Sequence, residues 1–325
     1  MKKIFIGVDL GGTKVFACVL SLNIKYKILG KAKQSTKSWE GKDKVLDRIE
    51  ETIKLSLADA KVSFKKVEAM GIGVPGAVDV KKGTILFASN LGWKNVNLKK
   101  ELEKRFKIPV YLNNDVNLGT LAEQKIGAAK DAQSVVGVYW GTGIGGGIIV
   151  DGKIVHGDSS TAGEIGHMIV AYDGKKCSCG RKGCFESYAA KWALTQNVYQ
   201  RIKKGEKSQI EFKGDKPREE ILKSSVIKKA YLANDPVLKE ELLKSVNYFG
   251  MGLANIVNLL NPEVIVIGGG MIESMEKELL PLICESLDRN KFPSAKYKIK
   301  TAELGDYSVL AGAAYFARQQ LAVVK

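Results

Sequence analysis

Three cysteines and a histidine lie close together near the middle of the chain, in a pattern typical of metal ligation. His167 is followed by nine residues and then by Cys177, Cys179 and Cys184. Three thiolates and one imidazole complete the tetrahedral shell that zinc prefers, and a closed shell leaves no position for hydrolytic chemistry. The spacing therefore predicts a structural zinc ion. The alternative is three loose thiols that bind no metal ion.

A glycine-rich turn near the N-terminus has the residue types needed to hold phosphate and Mg²⁺. It runs Asp9-Leu10-Gly11-Gly12-Thr13-Lys14. Its glycines allow backbone N–H groups to turn toward an anion, and its threonine adds a hydroxyl donor. Its aspartate, at the end of a predicted strand, is a candidate Mg²⁺ ligand. The structural alternative is an ordinary hairpin turn.

Two further glycine clusters indicate nucleotide binding. Gly141-Thr142-Gly143-Ile144-Gly145-Gly146-Gly147 holds five glycines in seven residues, more than a structural turn needs, although a flexible hairpin is the alternative. Gly268-Gly269-Gly270 follows a predicted strand, which suits a nucleotide at the carboxyl end of a sheet. Its spacing is not that of a dinucleotide fingerprint, so NAD binding is not predicted.

A carboxylate at Asp115 has the chemistry of a general base. Phosphoryl transfer to an alcohol requires a base within hydrogen-bond reach of the hydroxyl. Asp115 fits this role and equally fits the N-cap of a following helix. Glu164 and Glu186 flank the predicted zinc loop, and carboxylates accept paired hydrogen bonds from neighbouring sugar hydroxyls. Each of these glutamates is also consistent with a solvated surface charge.

Hydrophobic patterning predicts the elements that position these residues. The predicted strands are 3–8, 15–20, 69–74, 110–112, 135–139, 148–150 and 264–267, and the predicted helices are 44–60, 116–124, 187–203, 235–260 and 310–319. The strand, glycine turn and strand at the N-terminus recur near residue 135, and no low-complexity linker separates the halves. We therefore expect an active site in a cleft between two closely joined domains. The charged segment 203–225 is expected to be a surface excursion.

Composition excludes several classes of protein. The 325 residues are enough for two domains, with 45% hydrophobic and 26% charged residues. The net charge is +16, but the lysines are interspersed with acidic residues and no basic run carries aromatics, so no nucleic-acid partner is expected. No uncharged apolar run reaches the roughly 18 residues that a membrane helix needs. There is no signal peptide pattern, and the clustered cysteines suit a reducing compartment. We expect a cytoplasmic protein with no membrane partner.

Together these motifs resemble those of the ROK family (repressor, open reading frame, kinase), within the actin–hexokinase superfamily. The resemblance extends over nearly the whole chain. The matching segments are 9–14 with the phosphate-1 loop, 71–76 with the sugar-side strand, 114–117 with the catalytic stretch, 141–147 with the phosphate-2 loop, 161–167 and 177–186 with the signature and zinc loop, and 261–263 with 268–270 for the adenosine side. One departure is Asn113, where many members carry Glu; it is expected to leave the chemistry unchanged.

The resemblance implies an α/β, two-domain, actin-like ATPase (ribonuclease H-like) fold. Residues 1–118 would form a small N-terminal domain completed by a helix at 305–325, and residues 119–304 would form a larger domain with the zinc loop. The implied activity is an ATP-dependent, Mg²⁺-requiring glucokinase of carbohydrate metabolism (glycolysis), phosphorylating the C6 hydroxyl. The implied assembly is a homodimer or a dimer of dimers.

The resemblance also implies roles for single residues. Asp115 would be the general base, and the sugar site would be lined by Gly76, Asn90, Asn114, Glu164, His167 and Glu186. Thr13, Lys14, Thr142 and the glycine loops would hold ATP. His167 would bind zinc with one ring nitrogen and a sugar hydroxyl with the other. Ala77 is small and lacks a hydrogen-bonding side chain, which favours an unsubstituted hexose over an N-acetyl sugar.

Three other functions remain open. A sugar-responsive repressor would need an N-terminal DNA-binding domain, for which the phosphate loop at Asp9 leaves no room. A sugar sensor with an inactive kinase site is disfavoured by Asp9, Asp115 and the glycine loops. A kinase for another sugar, such as N-acetylmannosamine, N-acetylglucosamine, fructose or allose, is poorly distinguished by the sequence.

Overall fold

The computed structural model describes residues 3–23, 26–212, 214 and 221–324. Its internal contacts group the chain into two units. The first comprises Met1–Gly137, Gly147–Gly163 and Glu303–Lys325, and the second comprises Val138–Gly146 and Glu164–Ala302. The predicted domain boundary at residue 118 falls inside a helix, and the whole of that helix belongs to the first unit because it packs on the C-terminal helix.

The strands and helices are numbered in chain order. The strands are β1 Ile4–Leu10, β2 Lys14–Leu22, β3 Tyr26–Ser35, β4 Val67–Val74, β5 Ala77–Asp79, β6 Thr84–Ala88, β7 Trp93–Val96, β8 Val110–Asn114, β9 Val135–Trp140, β10 Ile144–Val150, β11 Lys153–Ile154, β12 Val264–Gly268 and β13 Ile299–Thr301. The helices are α1 Lys42–Ala60, α2 Leu98–Phe106, α3 Asp115–Ile126, α4 Glu186–Ala189, α5 Lys191–Lys203, α6 Ser224–Leu232, α7 Pro236–Leu260, α8 Gly270–Asn290 and α9 Ser308–Val324.

The first sheet has the order β3-β2-β1-β4-β8. Strands β1, β2 and β3 pair antiparallel, whereas β4 lies parallel to both β1 and β8. Alternate residues of β1 enter different cores: Ile4 and Ile6 pack in the core that includes α1, and Phe5 packs with Leu310 and Ala314 of α9. Since successive side chains of a strand point to opposite faces, this sheet is buried on both sides.

The second sheet has the order β11-β10-β9-β12-β13, and β5, β6 and β7 form a small third sheet. Within the second unit, the long helices α7 and α8 pack against each other. Asp235 caps α7 by accepting a hydrogen bond from the Leu238 N–H at 2.9 Å. Among the described residues, no helix combines the length and apolar character required to cross a bilayer.

The glycine loop predicted at 141–147 is wrong in extent. Only residues 141–143 form the turn, because β10 begins at Ile144 and includes the last three glycines. Gly147 lies in contact with Thr120 of α3, where an added Cβ would collide with the threonine hydroxyl. This glycine therefore permits close packing of a helix on a strand.

The helix predicted at 187–203 is interrupted. The chain forms α4 and α5 with Ala190 between them in an extended conformation. The N–H groups of Lys191 and Trp192, at the start of α5, donate to the carbonyls of Gly141 and Thr142 at 3.2 and 3.1 Å. The break thus lets the glycine turn satisfy backbone donors that a helix start leaves without an intrahelical partner.

The predicted surface excursion 203–225 is described only in part. Residues 213 and 215–220 lie outside the described residues. Helix α5 ends at Lys203 and α6 begins at Ser224, and the described residues between them contain neither helix nor strand.

Candidate active site and metal centre

Parallel pairing in the first sheet brings the predicted catalytic and Mg²⁺-binding carboxylates to one edge. Asp9 of β1 pairs in register with Gly73 of β4, which pairs in turn with Asn113 of β8. Asp9 and Asn113 are therefore two strands apart, about 10 Å at the usual strand spacing. Asp115 follows two residues later, as the first residue of α3.

The N-cap of α3 is Asn114 and not Asp115, so the capping role considered for Asp115 is wrong. Asn114 has the extended backbone of a cap, and its side chain accepts from the N–H groups of Val116 at 2.9 Å and Asn117 at 3.3 Å. The Asn114 amide also donates to the carbonyl of Gly76 at 3.2 Å. Asp115 accepts from the Val116 N–H at 2.9 Å and lies in the first helical turn, where the helix dipole favours a carboxylate.

The turn at 11–13 is tied to Thr36 from one side. The Thr36 hydroxyl donates to the Gly11 carbonyl at 2.6 Å, and its N–H donates to the Thr13 carbonyl at 2.9 Å. Because a trans peptide points its C=O and N–H in opposite directions, the Gly12 N–H is directed away from Thr36. This orientation suits an anion on the open side of the turn.

Gly12 has no room for a side chain. A Cβ at this position would lie 2.6 Å from the backbone oxygen of Asn90. Asn90 belongs to a 3₁₀ turn at Ser89–Leu91, so the predicted phosphate turn and a predicted sugar ligand are in direct contact. Both lie in the first unit.

Charge at this edge is organised around Asp9. Burial raises the pKa of Asp9 to about 6; Lys14 and Lys33 counteract this rise, whereas Asp306 adds to it. Asp306 lies 3.2 Å from the Lys14 ammonium and 3.6 Å from that of Lys33. The hydrogen bond from Lys14 lowers the pKa of Asp306. Asp306 was not identified from the sequence, because 292 positions separate it from Lys14 and no local pattern marks the pair.

The four predicted metal ligands converge in the second unit. The donor atoms of His167, Cys177, Cys179 and Cys184 all lie within 4.8 Å of one another. The Cys179 and Cys184 sulfurs are 3.6 Å apart, and the Cys177 sulfur is 3.7 Å from Nδ1 of His167. Tetrahedral zinc with Zn–S near 2.3 Å and Zn–N near 2.0 Å would separate its ligand atoms by about 3.5–3.8 Å. The donor set and its spacing fit zinc.

The two nitrogens of His167 face different groups. Nδ1 is directed at the thiol cluster, whereas Nε2 is 4.0 Å from a carboxylate oxygen of Glu164. His167 lies in a 3₁₀ turn at Ile165–His167. The ring is therefore oriented so that one nitrogen is available for metal and the other faces away from the cluster.

Glu186 connects the metal cluster with the glycine turn. Its Oε1 accepts from the Cys177 thiol at 3.0 Å and from the Ser178 hydroxyl at 3.3 Å. A Cβ on Gly143 would lie 3.1 Å from the other carboxylate oxygen. Glu186 is 8% exposed, so it is not the solvated surface charge that the sequence left open. Glu164 has an exposed side chain.

The third glycine cluster forms a strand-to-helix turn. Gly268 ends β12, Gly269 has a left-handed backbone with φ 86°, and α8 begins at Gly270. The first backbone N–H groups of a helix have no intrahelical partner and are suited to anions or nucleotide oxygens. The described geometry is compatible with the predicted adenosine side.

Comparisons with known proteins place the chain in one family. Residues 5–320 match the model described as ROK family. The chain is 31% identical over 321 residues to the glucokinase of Halalkalibacterium halodurans, covering 97% of this chain and 95% of that protein. It is 32% identical over 311 residues to the xylose repressor of Caldicellulosiruptor bescii, covering 94% of this chain and 76% of that protein.

A solved structure shows the same fold. The ROK family glucokinase from Streptomyces griseus, in complex with glucose and AMPPNP, has a TM-score of 0.78 and 32% identity to this chain. The match covers 97% of this chain and 99% of that one. The two-domain, actin-like ATPase fold predicted from the sequence is confirmed.

Replacing Asp9 by Asn should change how stability depends on pH. The pKa of Asp9 is about 6 in the folded protein against 3.8 ordinarily, so the folded state binds this proton more tightly than the unfolded state. The contribution of Asp9 to wild-type stability therefore falls as the pH rises between about 4 and 6, and the variant lacks this loss. Relative to wild type, its free energy of unfolding should rise by up to about 3 kcal/mol across that window. Urea denaturation at several pH values measures it.

The exposed Asp43, in the first turn of α1, provides the matched control. Asp43→Asn should show no comparable rise between the same pH values. A difference between Asp9→Asn and wild type that is constant with pH would contradict the assignment of a raised pKa to Asp9.

Proposed function

The chain belongs to the ROK family, and from this membership we propose that it is an ATP-dependent hexose kinase that phosphorylates the C6 hydroxyl of glucose. The observation that carries the proposal is the position of Asp115. Its carboxylate begins α3 at the sheet edge that also carries Asp9 and the glycine turn. A base and a phosphate-binding turn at one sheet edge are what phosphoryl transfer to an alcohol requires.

In the proposed reaction Asp115 accepts the proton of the sugar hydroxyl as that oxygen attacks the γ-phosphate of ATP. The bond from the γ-phosphorus to the bridging oxygen breaks, and ADP leaves. Positioning and charge neutralisation supply most of the acceleration in this class of reaction. The Asp115 carboxylate accepts a hydrogen bond from the Val116 N–H at the start of α3, so its orientation is set before the sugar binds.

We propose six sugar contacts. Asn114, Gly76 and Asn90 lie on the elements around the start of α3 and the glycine turn. The other proposed contacts are Glu164, Glu186 and the Nε2 atom of His167. Paired carboxylate oxygens and amides are the groups that bind vicinal hydroxyls with directional hydrogen bonds.

The nucleotide contacts are proposed at three glycine turns. The Gly12 N–H, Thr13 and Lys14 would hold the phosphates, with Thr142 and its flanking glycines, Gly141 and Gly143, on the second turn. Gly268 to Gly270 would contact the adenosine. Asp9 is the proposed ligand of the Mg²⁺ ion that ATP carries, directly or through water.

Zinc is proposed as a structural ion held by Nδ1 of His167 and the three cysteine sulfurs. Bound there, it would cross-link the 3₁₀ turn to the cysteine loop and leave no open coordination position. The residues it orders include His167, and its proposed contribution to the reaction is therefore to the shape of the sugar site.

Glucose is the preferred substrate within this proposal for two reasons. The similar solved structure from Streptomyces griseus contains glucose, and Ala77 offers no side-chain hydrogen bond to an N-acetyl group. N-acetylmannosamine, N-acetylglucosamine and fructose are the alternatives. A sugar-responsive regulator is the alternative from a different class, and the similarity to several xylose repressors and to a ROK family transcriptional regulator of known structure favours it.

A coupled ADP-release assay across a panel of hexoses tests the proposal directly. We expect sugar-dependent ADP release with ATP and Mg²⁺, with the highest kcat/KM for glucose and an acid-stable phosphate at C6. A higher kcat/KM for an N-acetyl sugar would leave the kinase reaction in place but show that glucose is not the preferred substrate. Sugar binding without ADP release for any hexose would contradict the kinase proposal and favour a sensor or regulator.

Replacing Asp115 by Asn should reduce kcat by about 10²–10⁴-fold, because the amide cannot accept the hydroxyl proton. The KM for the sugar should change much less, since Asn retains the shape and the hydrogen bond to the Val116 N–H. Steady-state kinetics of both parameters measure the effect. Asp43→Asn, also in a first helical turn, is the control. Turnover within a few-fold of wild type would remove Asp115 from the base role.

Metal analysis of protein purified without chelator should find about one zinc per chain. Cys179→Ser should lower the zinc content and the melting temperature, and weaken sugar binding by releasing His167. Cys284 lies outside the cluster, so Cys284→Ser should retain the metal. Protein that is active and folded yet free of zinc would overturn the structural role.

A further inference from the structure

Asn113 is a fully buried amide placed immediately before the cap of α3. It is 0% exposed, and its Oδ1 accepts from the Asn114 N–H at 2.8 Å and from the Asn117 side chain at 3.3 Å. Asn114 is the N-cap, and Asn117 lies in the first turn of the helix. One amide oxygen thus contacts Asn114, just before Asp115, and Asn117, two residues after it.

The opposite end of the same amide contacts a histidine. Nδ2 of Asn113 is 2.9 Å from Nε2 of His156. The Asn114 backbone N–H can only donate, so its partner atom must be Oδ1 of Asn113, and the NH₂ group of the amide therefore faces the ring. Nε2 must then be the unprotonated acceptor, and the ring is neutral with its proton on Nδ1. Burial lowers the pKa of His156, which agrees with a neutral ring.

His156 is itself held in place. Its carbonyl accepts from the Ala162 N–H at 3.0 Å, and its ring meets Phe316 of α9 edge-on, with centroids 6.1 Å apart. Phe316 is buried. These residues belong to the first unit together with Asp115. The acceptor nitrogen is therefore presented to Asn113 by a fixed ring.

We propose that His156 is a positioning residue for the catalytic base, acting by accepting the hydrogen bond that holds Asn113 against the start of α3. The proposal rests on the kinase function assigned to Asp115. Without an acceptor at 156, a buried N–H of Asn113 loses its partner and the amide reorients to find another. Reorientation withdraws Oδ1 from Asn114 and Asn117, which lie on either side of Asp115 in the chain. A displacement of about 1 Å at the base can cost on the order of a hundredfold in rate.

Two substitutions separate hydrogen-bond acceptance from ring packing. His156→Gln keeps an acceptor at similar reach but removes the ring, and His156→Phe keeps the ring against Phe316 but removes the acceptor. We expect kcat to fall about 10- to 100-fold in the phenylalanine variant and to stay within about threefold of wild type in the glutamine variant. Both should retain zinc and a cooperative melting transition. Equal kcat values, or a higher kcat for phenylalanine, would overturn the proposal.

Nitrogen-15 spectra of the imidazole rings test the contact without relying on activity. The chain has two histidines, so the signal absent from His156→Gln identifies His156. We expect the neutral Nδ1–H form at neutral pH in the wild type, and amide shifts at Asn114 and Asn117 that move in the phenylalanine variant and stay near wild type in the glutamine variant. An Nε2–H ring, or amide shifts that do not distinguish the two variants, would overturn the positioning role.

The two tests also separate this proposal from the function on which it rests. Wild-type protein that releases no ADP with any sugar contradicts the kinase function, whereas the spectra still decide whether His156 holds the start of α3. Wild-type activity combined with the wrong ring form contradicts the positioning role alone.

Discussion

The parallel register of β1, β4 and β8 is the constraint on which the first unit's chemistry depends. Pairing of Asp9 with Gly73, and of Gly73 with Asn113, aligns the carboxyl ends of three strands. A shift of one residue in either pair would turn these side chains to the opposite face. Burial of the sheet by α1 on one side and α9 on the other opposes such a shift, because it would exchange the two cores. The packing of α1 and α9 on the two faces of the sheet therefore fixes the spacing of Asp9 and Asn113 at its carboxyl edge.

The cap at Asn114 shows how one position changes the role of a carboxylate. A capping aspartate would direct its carboxylate at the backbone N–H groups two and three residues later. Asn114 takes that task, and its amide also reaches Gly76, which leaves Asp115 inside the first turn. The asparagine before it receives the cap's own N–H. Three consecutive polar residues thus have separate roles: Asn113 accepts the N–H of the cap, Asn114 caps the helix, and Asp115 carries the carboxylate.

Features set by local chemistry were predictable from the sequence, whereas features set by packing were not. The cluster of His167 with three cysteines was predicted from spacing alone, and its donor atoms do converge. The end of the glycine turn at 143 was not predictable, because the glycines at 145–147 have the same composition as the turn but belong to β10, where Gly147 packs on α3. Asp306 and His156 were missed for a related reason. Their partners are distant in sequence, and an isolated aspartate or histidine carries no local signal.

The charges beside Asp9 decide how costly it is to ionise this buried carboxylate. Lys14 is the counter-charge that lowers the pKa of Asp9 most, but it is also paired with Asp306, so it compensates the burial of Asp9 only in part and the pKa of Asp9 stays raised. Asp306 is 62% exposed and loses little hydration in that ion pair. If Asp9 holds Mg²⁺ as proposed, the cation would favour the ionised form of this carboxylate. In that arrangement the cost of ionising the buried Asp9 carboxylate would be lower with the cation bound than without it.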